Sequence, residues 1–468
     1  MSAPPTGVSQ PVHSRKDLVE ALERGCKPAS HWRIGTEHEK FLYDKRDFSA
    51  LPYSHETNAA EGAAAGSGDI RRLLNGLVTE HGWTPLYEGE NVVALTRAGA
   101  NITLEPGGQF ELSGAAVANL HETEAETRQH IEELQALCVP MGVGTLSLGY
   151  QPELSRDEIP WMPKARYRIM RAQMKRKGML GLDMMKSTAT IQVNLDFESE
   201  ADMVRKLRVS LALQPVATAI FANSPFSRGR LNGYRSFRSA IWQDTDPDRT
   251  GGLEFAFEDG MGFERYVDYA LDVPMYFIHR GGEYFDASGL SFRDFMAPKL
   301  ALRPGEMPLK SDWDDHLTTL FPEVRIKSFL EMRGGDAGPV DHILGLSALW
   351  TGLLYDSNSL QAAWDLVAGW GTEDRRQLAL DVPTQGLKAT VAGRSVLDLA
   401  RDVVAISKAG LRRRAVPGPD EQADEAGLLA PLEALLDAGH SPADRLIEAF
   451  EGAWQGDIRQ VYQAASLF

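Results

Sequence analysis

"RIGTEHEKFLYDK", residues 33–45, reads as a strand that carries two glutamates two positions apart. Successive side chains of a strand leave opposite faces, so Glu37 and Glu39 project from the same side, roughly 6–7 Å apart at about 3.3 Å per residue. His38 falls on the other side and reads as a packing residue, not a ligand. Two carboxylates held side by side repel, and each raises the other's proton affinity unless a cation lies between them.

The same oddity recurs. In "LEPGGQFELS" (104–113) Gln109 and Glu111 share a face, with Glu105 just across the Pro-Gly-Gly turn. "TATIQVNLDF" (188–197) is the clearest strand of the chain: Ile191, Val193, Leu195 and Phe197 face one way, while Thr190, Gln192, Asn194 and Asp196 face the other. In "FLEMRGG" (329–335) Glu331 and Arg333 share a face. A solvent-facing row normally mixes Lys, Ser and Thr with Glu, whereas these rows concentrate Glu, Gln and Asn. That is the donor set of a hard cation such as Mg²⁺, which takes oxygen ligands and is usually shared with substrate phosphates.

Around these strands the chain alternates short strands and helices. A disordered arm is expected over 1–14, and a helix follows at 15–24. A small-residue loop at 55–69 leads to a helix over 69–81. Short strands read at "NVVALT", "NITLEP" and "QFELSG", and a Glu-rich helix spans 119–138. Ser199 with Asp202 caps an apolar helix that reads as buried core. From about 341 the pattern is nearly all helical, over 341–356, 359–370, 394–415 and 441–454, with an exposed connection at 417–425. The reading is one catalytic domain over 15–468, a strand-rich core at about 33–336 and a helical part at about 341–468: an α+β arrangement without regular βαβ alternation.

Composition narrows the partners. The 49 Lys and Arg against 65 Asp and Glu give a net charge of −16, which repels phosphate backbones and argues against nucleic acid. The longest apolar run, "VSLALQPVATAIFAN", is interrupted by Gln214 and Pro215 and falls short of the ~20 residues a bilayer demands. Two cysteines, Cys26 and Cys138, build no disulfide scaffold and suggest a cytoplasmic setting. The N-terminal residues carry no signal peptide.

The basic residues concentrate in two places. "MPKARYRIMRAQMKRKG" (162–178) holds seven; on a helix Lys164, Arg168, Arg171 and Lys175 form one solvated stripe, with Arg166 and Arg176 off it and better placed for function. "SPFSRGRLNGYRSFRSAIWQDTDPDRTG" (224–251) is an Arg-, Gly- and Asp-rich loop, too polar for core and too long for an idle turn. Arg makes bidentate contacts with carboxylates and phosphates, so acids holding a cation beside such a loop suggest a nucleotide and a carboxylate substrate. The chain has no G-x-x-x-x-G-K-[ST] and no strand-led G-x-G-x-x-G, which excludes the P-loop and Rossmann sites. A two-carboxylate glycosidase needs paired acids but neither ATP nor Mg²⁺, and the Gln, Asn and Arg concentrated around these acids argue against it; a mere cation-binding protein leaves the Arg-rich loop without purpose.

At these residues the sequence resembles the glutamate–cysteine ligases of plants and proteobacteria. The likeness is carried by "IGTEHEKF", "LEPGGQFELSGA", "MPKARYRIMR", "GLDMMKSTATIQVNLDF", "RSAIWQDTDPDRTG" and "HLTTLFPEVRIKSFLEMRGGD", and spans about residues 33–360. It implies a glutamine-synthetase-like fold, an antiparallel sheet curled into a funnel and surrounded by helices. It also implies ATP-dependent joining of the L-glutamate γ-carboxylate to the L-cysteine amine, with a different amine acceptor as the alternative. By motif position, Mg²⁺ ions (on the order of two or three) fall to Glu37, Glu39, Glu105, Glu111, Gln192 and Glu331. Arg333 and Arg238 take the catalytic places. Substrate contacts fall to Arg166, Arg238, Arg235, Asn194, Trp242 and Tyr167. The partners expected are small molecules acting on a monomer or homodimer. Where plant members carry regulatory cysteines, this chain has Glu124, Ala287, Leu344 and a non-cysteine near Leu302, so redox switching of the plant kind is not expected; nor is a chloroplast transit extension ahead of residue 33.

Overall fold

Among the described residues nine strands pair into one antiparallel sheet: β1 (Ile34–Asp44), β2 (Thr84–Glu88), β3 (Asn91–Arg97), β4 (Ala100–Leu104), β5 (Phe110–Ser113), β6 (Val143–Leu146), β7 (Thr190–Leu195), β8 (Val324–Ile326) and β9 (Leu330–Asp336). Their order is β8-β9-β7-β1-β5-β4-β3-β2. The glutamate strand β1 is central and changes partners along its length. Residues 34–40 lie between β7 and β5, and 41–44 pair with β6. The computed structural model describes residues 9–55, 68–418 and 424–468. Most of the loop expected at 55–69, the centre of the connection at 417–425 and residues 1–8 of the arm lie outside them.

One face of the sheet is apolar because alternation puts Ile191, Val193 and Leu195 there, all fully buried. That face packs against Glu200–Ile220 and Val340–Leu354, helices buried on nearly every side and therefore apolar all round. Ser199 caps the first of them as expected, accepting from the Asp202 N–H. Register shifts in β9 (between Met332 and Gly335) and in β2 mark bulges, which bend a sheet and raise its twist. The opposite, polar face encloses the site.

The helices read from periodicity are present, with ends moved by one to three residues. Four expectations change. The arm is tied down where it is described: Val12 is fully buried, its N–H donates to the Pro308 carbonyl, and Pro11 bridges Leu309. The loop at 224–251 contains a helix, Phe237–Gln243, capped by Ser236. A further helix, Thr372–Gln385, lies in a stretch whose polarity and internal Pro383 hide its periodicity. On the Ala165–Lys177 helix Arg168, Arg171 and Lys175 are exposed, but Lys164 is buried at the N-cap. Among the described residues no helix is long and apolar enough to cross a membrane.

Candidate active site

Strand pairing brings the polar residues together. Glu39 is the register partner of Glu111, and Glu37 lies between Ser113 on one side and Gln192 on the other. Asn194 sits between Gly35 and Glu331. A tight turn, with Gly108 at a φ of 83° that only glycine adopts without strain, folds Glu105 back beside this group. The cavity so formed has about 940 Å³ of empty space counting its open mouth. Glu37, Glu39, Glu105, Glu111 and Gln192 line it, together with Arg166, Tyr167, Arg238, Trp242 and Arg333.

Its electrostatics are those of crowded, poorly hydrated acids. Burial, and then Glu105 and Glu111, push the Glu39 carboxyl well above the usual carboxylate range. Burial also raises Glu37, with Glu331 and Glu111 adding to it. Glu111 accepts from the Thr103 and Ser113 hydroxyls, both at 2.8 Å. The basic half faces these acids. Arg238 is buried and donates at 2.9 Å to the Arg333 carbonyl; Arg333 in turn donates to Gln192 Oε1 and Glu331. Tyr167 donates to the Leu104 carbonyl at 2.5 Å, and the Arg166 guanidinium lies 5.3 Å from its ring, so the tyrosine holds the arginine against the wall.

Three expected residues stand elsewhere. Arg235 does not line the cavity; it pairs with Asp444 at 3.2 Å and donates to the Thr384 carbonyl. Asn194 does not line it either, but donates at 2.8 Å to Glu37 Oε1 and so orients that carboxylate. Glu331 is enclosed behind the wall, fully buried, by Arg325 (2.6 Å), Lys327 (3.0 Å) and Arg333 (2.7 Å). Burial works against its charge, but the three cations outweigh that and hold the carboxyl well below the usual range. Arg325 and Lys327 are thus site residues that sequence reading missed. The Arg325–Glu331 cross-strand register is the signal that identifies them. His38 lies on the apolar side, as its position in β1 dictates, edge-on to His130 at 5.5 Å.

The expected metal ligands do not form a closed cluster. Among the described residues no group of three or more His, Cys, Asp or Glu side chains forms a ready metal site, so a carboxylate cage made by the protein alone is not what the fold builds. One wall of the cavity is acidic, with Glu37, Glu39, Glu105 and Glu111 beside Gln192 and arginines facing them. Such a face fits a Mg²⁺ that takes one or two carboxylates from the protein and its other oxygens from a phosphate.

An antiparallel sheet that gathers acids, an amide and arginines into one cavity on its polar face, with helices packed on the other, defines the glutamine-synthetase-like fold class. A solved structure of that class, the glutamate–cysteine ligase of Francisella tularensis in complex with AMP, matches the fold with a TM-score of 0.50 at 13% identity, covering 92% of this chain and 88% of that one. The profile of glutamate-cysteine ligase family 2 matches residues 33–464. Glutamate–cysteine ligase B of Oryza sativa subsp. japonica is 48% identical over 466 residues, 99% of this chain and 90% of the relative. The glutamate–cysteine ligase of Arabidopsis thaliana is 47% identical, covering 99% and 85%. The chain belongs to glutamate-cysteine ligase family 2, and it is an enzyme of that activity, which opens glutathione synthesis.

Both plant relatives are named as chloroplastic, and this overturns the cytoplasmic expectation. Acidic charge and few cysteines mark any reducing aqueous compartment, so they do not single out the cytosol. Cys26 and Cys138 are both free.

Proposed function

We propose that the enzyme uses ATP to convert the γ-carboxylate of L-glutamate to γ-glutamyl phosphate, and that the amine of L-cysteine displaces the phosphate. The supporting observation is the convergence of Glu37, Glu39, Glu105, Glu111 and Gln192 with Arg166, Arg238 and Arg333 on one cavity. A free carboxylate resists an amine because oxide is a poor leaving group; phosphorylation supplies a good one. The catalyst's task is then positioning and charge neutralisation.

Mg²⁺ bound at the acidic face supplies positive charge to the phosphate oxygens. Glu37, Glu39, Glu105 and Glu111 hold that charge in place, with Asn194 orienting Glu37. Arg333, itself fixed by Glu331 and Gln192, presents its guanidinium to the transferring phosphoryl oxygens. Arg238, held by the Arg333 carbonyl, faces the same centre, and Arg166 receives a substrate carboxylate. Their preorganisation is what stabilises charge that develops only in the transition state. Arg325 and Lys327 keep Glu331 ionised, which keeps Arg333 aimed. Residues 15–468 act as one catalytic unit in this reading.

The test is phosphate release from ATP with glutamate and a panel of amino acids, with and without Mg²⁺. Release that depends on glutamate, on cysteine and on Mg²⁺ together, with a γ-glutamyl product of matching mass, is the expected result. Equal release with every amine, or release without glutamate, overturns the reading.

A further inference from the structure

Asp336, at the end of β9 and fully buried, takes no part in the chemistry above, yet it accepts three hydrogen bonds. The Asn223 N–H (2.8 Å) and the Ser224 hydroxyl (2.7 Å) reach its Oδ2, and the Ser236 hydroxyl (2.8 Å) reaches its Oδ1. Enclosing a carboxylate among neutral donors is costly and calls for a purpose. The fit is tight: a Cβ on Gly149 would lie 2.4 Å from the Asp336 Cγ, so only glycine admits the carboxylate there.

The two serines lead to Arg238. A hydroxyl has one proton. Both serines give theirs to the carboxylate, which leaves their oxygens to accept from the start of the Phe237–Gln243 helix. Ser224 Oγ accepts from the Arg238 N–H at 3.2 Å, and Ser236 Oγ from the Ser239 N–H at 3.1 Å. A helix start leaves such N–H groups without internal partners. The strand that carries Asp336 also holds the far end of the arginine, because the Arg333 carbonyl accepts from its guanidinium at 2.9 Å. Thr190 ties down the bulge between these two anchors, donating to the Gly335 carbonyl at 2.7 Å. Arg238 Nε is buried and has no hydrogen-bond partner among the described residues, so the aim of the side chain depends on where its backbone is held.

We propose that Asp336 is a positioning residue for the reaction: through Ser224 and Ser236 it fixes the helix start that carries Arg238, so that the guanidinium faces the cavity alongside Arg333. Burial raises the Asp336 carboxyl, and the Arg238 charge and then the three donors oppose this. A carboxamide of the same shape cannot take over, because it brings a donor nitrogen. In the place of Oδ2 that nitrogen would confront the Asn223 N–H, donor against donor. The inference rests on the place given to Arg238 in the acyl-phosphate reading above.

A double-mutant cycle on the full chain, with ATP, glutamate, cysteine and Mg²⁺, tests it. Asp336→Asn is expected to lower kcat about 10- to 100-fold, the scale for losing a group that orients a working side chain, while half-saturating Mg²⁺ stays within about twofold of the wild type. In an Arg238→Ala background the same substitution should lower kcat less than about threefold, because the group it positions is gone. Ser236→Ala removes a single donor and runs the same cycle where Asp336→Asn fails to fold. It is expected to cost about three- to tenfold in kcat with Arg238 present and less than about twofold without it, although the lost cap lowers the melting temperature equally in both backgrounds. Equal fold losses in the two backgrounds, or wild-type kcat in both single variants, overturns the positioning role. Wild-type kinetics in Arg238→Ala overturns the place of that arginine instead, so the two failures are distinguishable.

Discussion

Glu39 and Glu111 stand directly opposite each other across the β1–β5 ladder, on the polar face of the sheet. Like charges in that relation destabilise a sheet, by about 0.2–1 kcal/mol on the scale of cross-strand pairs. A fold gains nothing from the pairing, and a site that gathers positive charge does.

Glu39→Gln is therefore expected to stabilise the ligand-free protein at pH 7 while lowering turnover, a trade between stability and activity. The sign of its pH dependence follows from the raised carboxyl. The unfolded chain releases this proton from about pH 4.5 upward and the folded chain only at higher pH, so wild-type stability falls as pH rises through that window. Denaturation at pH 5, 6 and 7 checks this: the wild type loses stability relative to the variant on going up, and parallel curves contradict it.

Glu331 behaves oppositely. Its neutralisation leaves Arg325, Lys327 and Arg333 as buried, unpaired charges, so Glu331→Gln should destabilise the fold by about 3–5 kcal/mol. Urea unfolding measures it. A variant as stable as the wild type removes Glu331 from its structural place.

Arg235 and Arg238 separate a strut from a site residue. Arg238→Ala is expected to reduce kcat/KM for glutamate by about 2–4 kcal/mol, the loss of one charge-stabilising donor. Arg235→Ala breaks the part-buried Asp444 pair and the hydrogen bond to the Thr384 carbonyl, which costs about 1–3 kcal/mol of stability, and leaves glutamate kinetics unchanged. Equal kinetic losses in both variants would refute the division.

Lys40 lies on the back of β1, fully buried, with Nζ 2.8 Å from His130 Nε2. Burial lowers it to about 7 from 10.5. Between those values the unfolded chain binds a proton that the folded chain lacks, so this lysine makes stability rise with pH by up to about 1.4 kcal/mol per unit. Lys40→Met should flatten the rise between pH 7 and 9. Identical slopes for the two proteins count against it.

Much of the site was legible because strand alternation is local. Two residues of spacing suffice to put Glu37 with Glu39, Gln192 with Asn194, and Ile191 with Val193 on their faces. What escaped depends on pairing over long separations. Arg325 meets Glu331 only in the β8–β9 register, Arg235 meets Asp444 from 209 residues away, and Lys164 is buried by packing that a helical stripe does not reveal. The Phe237–Gln243 helix is too short for its period to emerge from an Arg- and Gly-rich stretch. Asn194 was read on the correct face, yet its amide is taken by Glu37 before a substrate can use it.

Turnover measured against Mg²⁺ concentration, in the wild type and in Glu39→Gln at saturating ATP, glutamate and cysteine, bears most directly on the acidic face. A half-saturating Mg²⁺ at least about tenfold higher in the variant, the effect of roughly 1.4 kcal/mol of lost affinity, is the predicted result. Superimposable Mg²⁺ curves for the two proteins would contradict it.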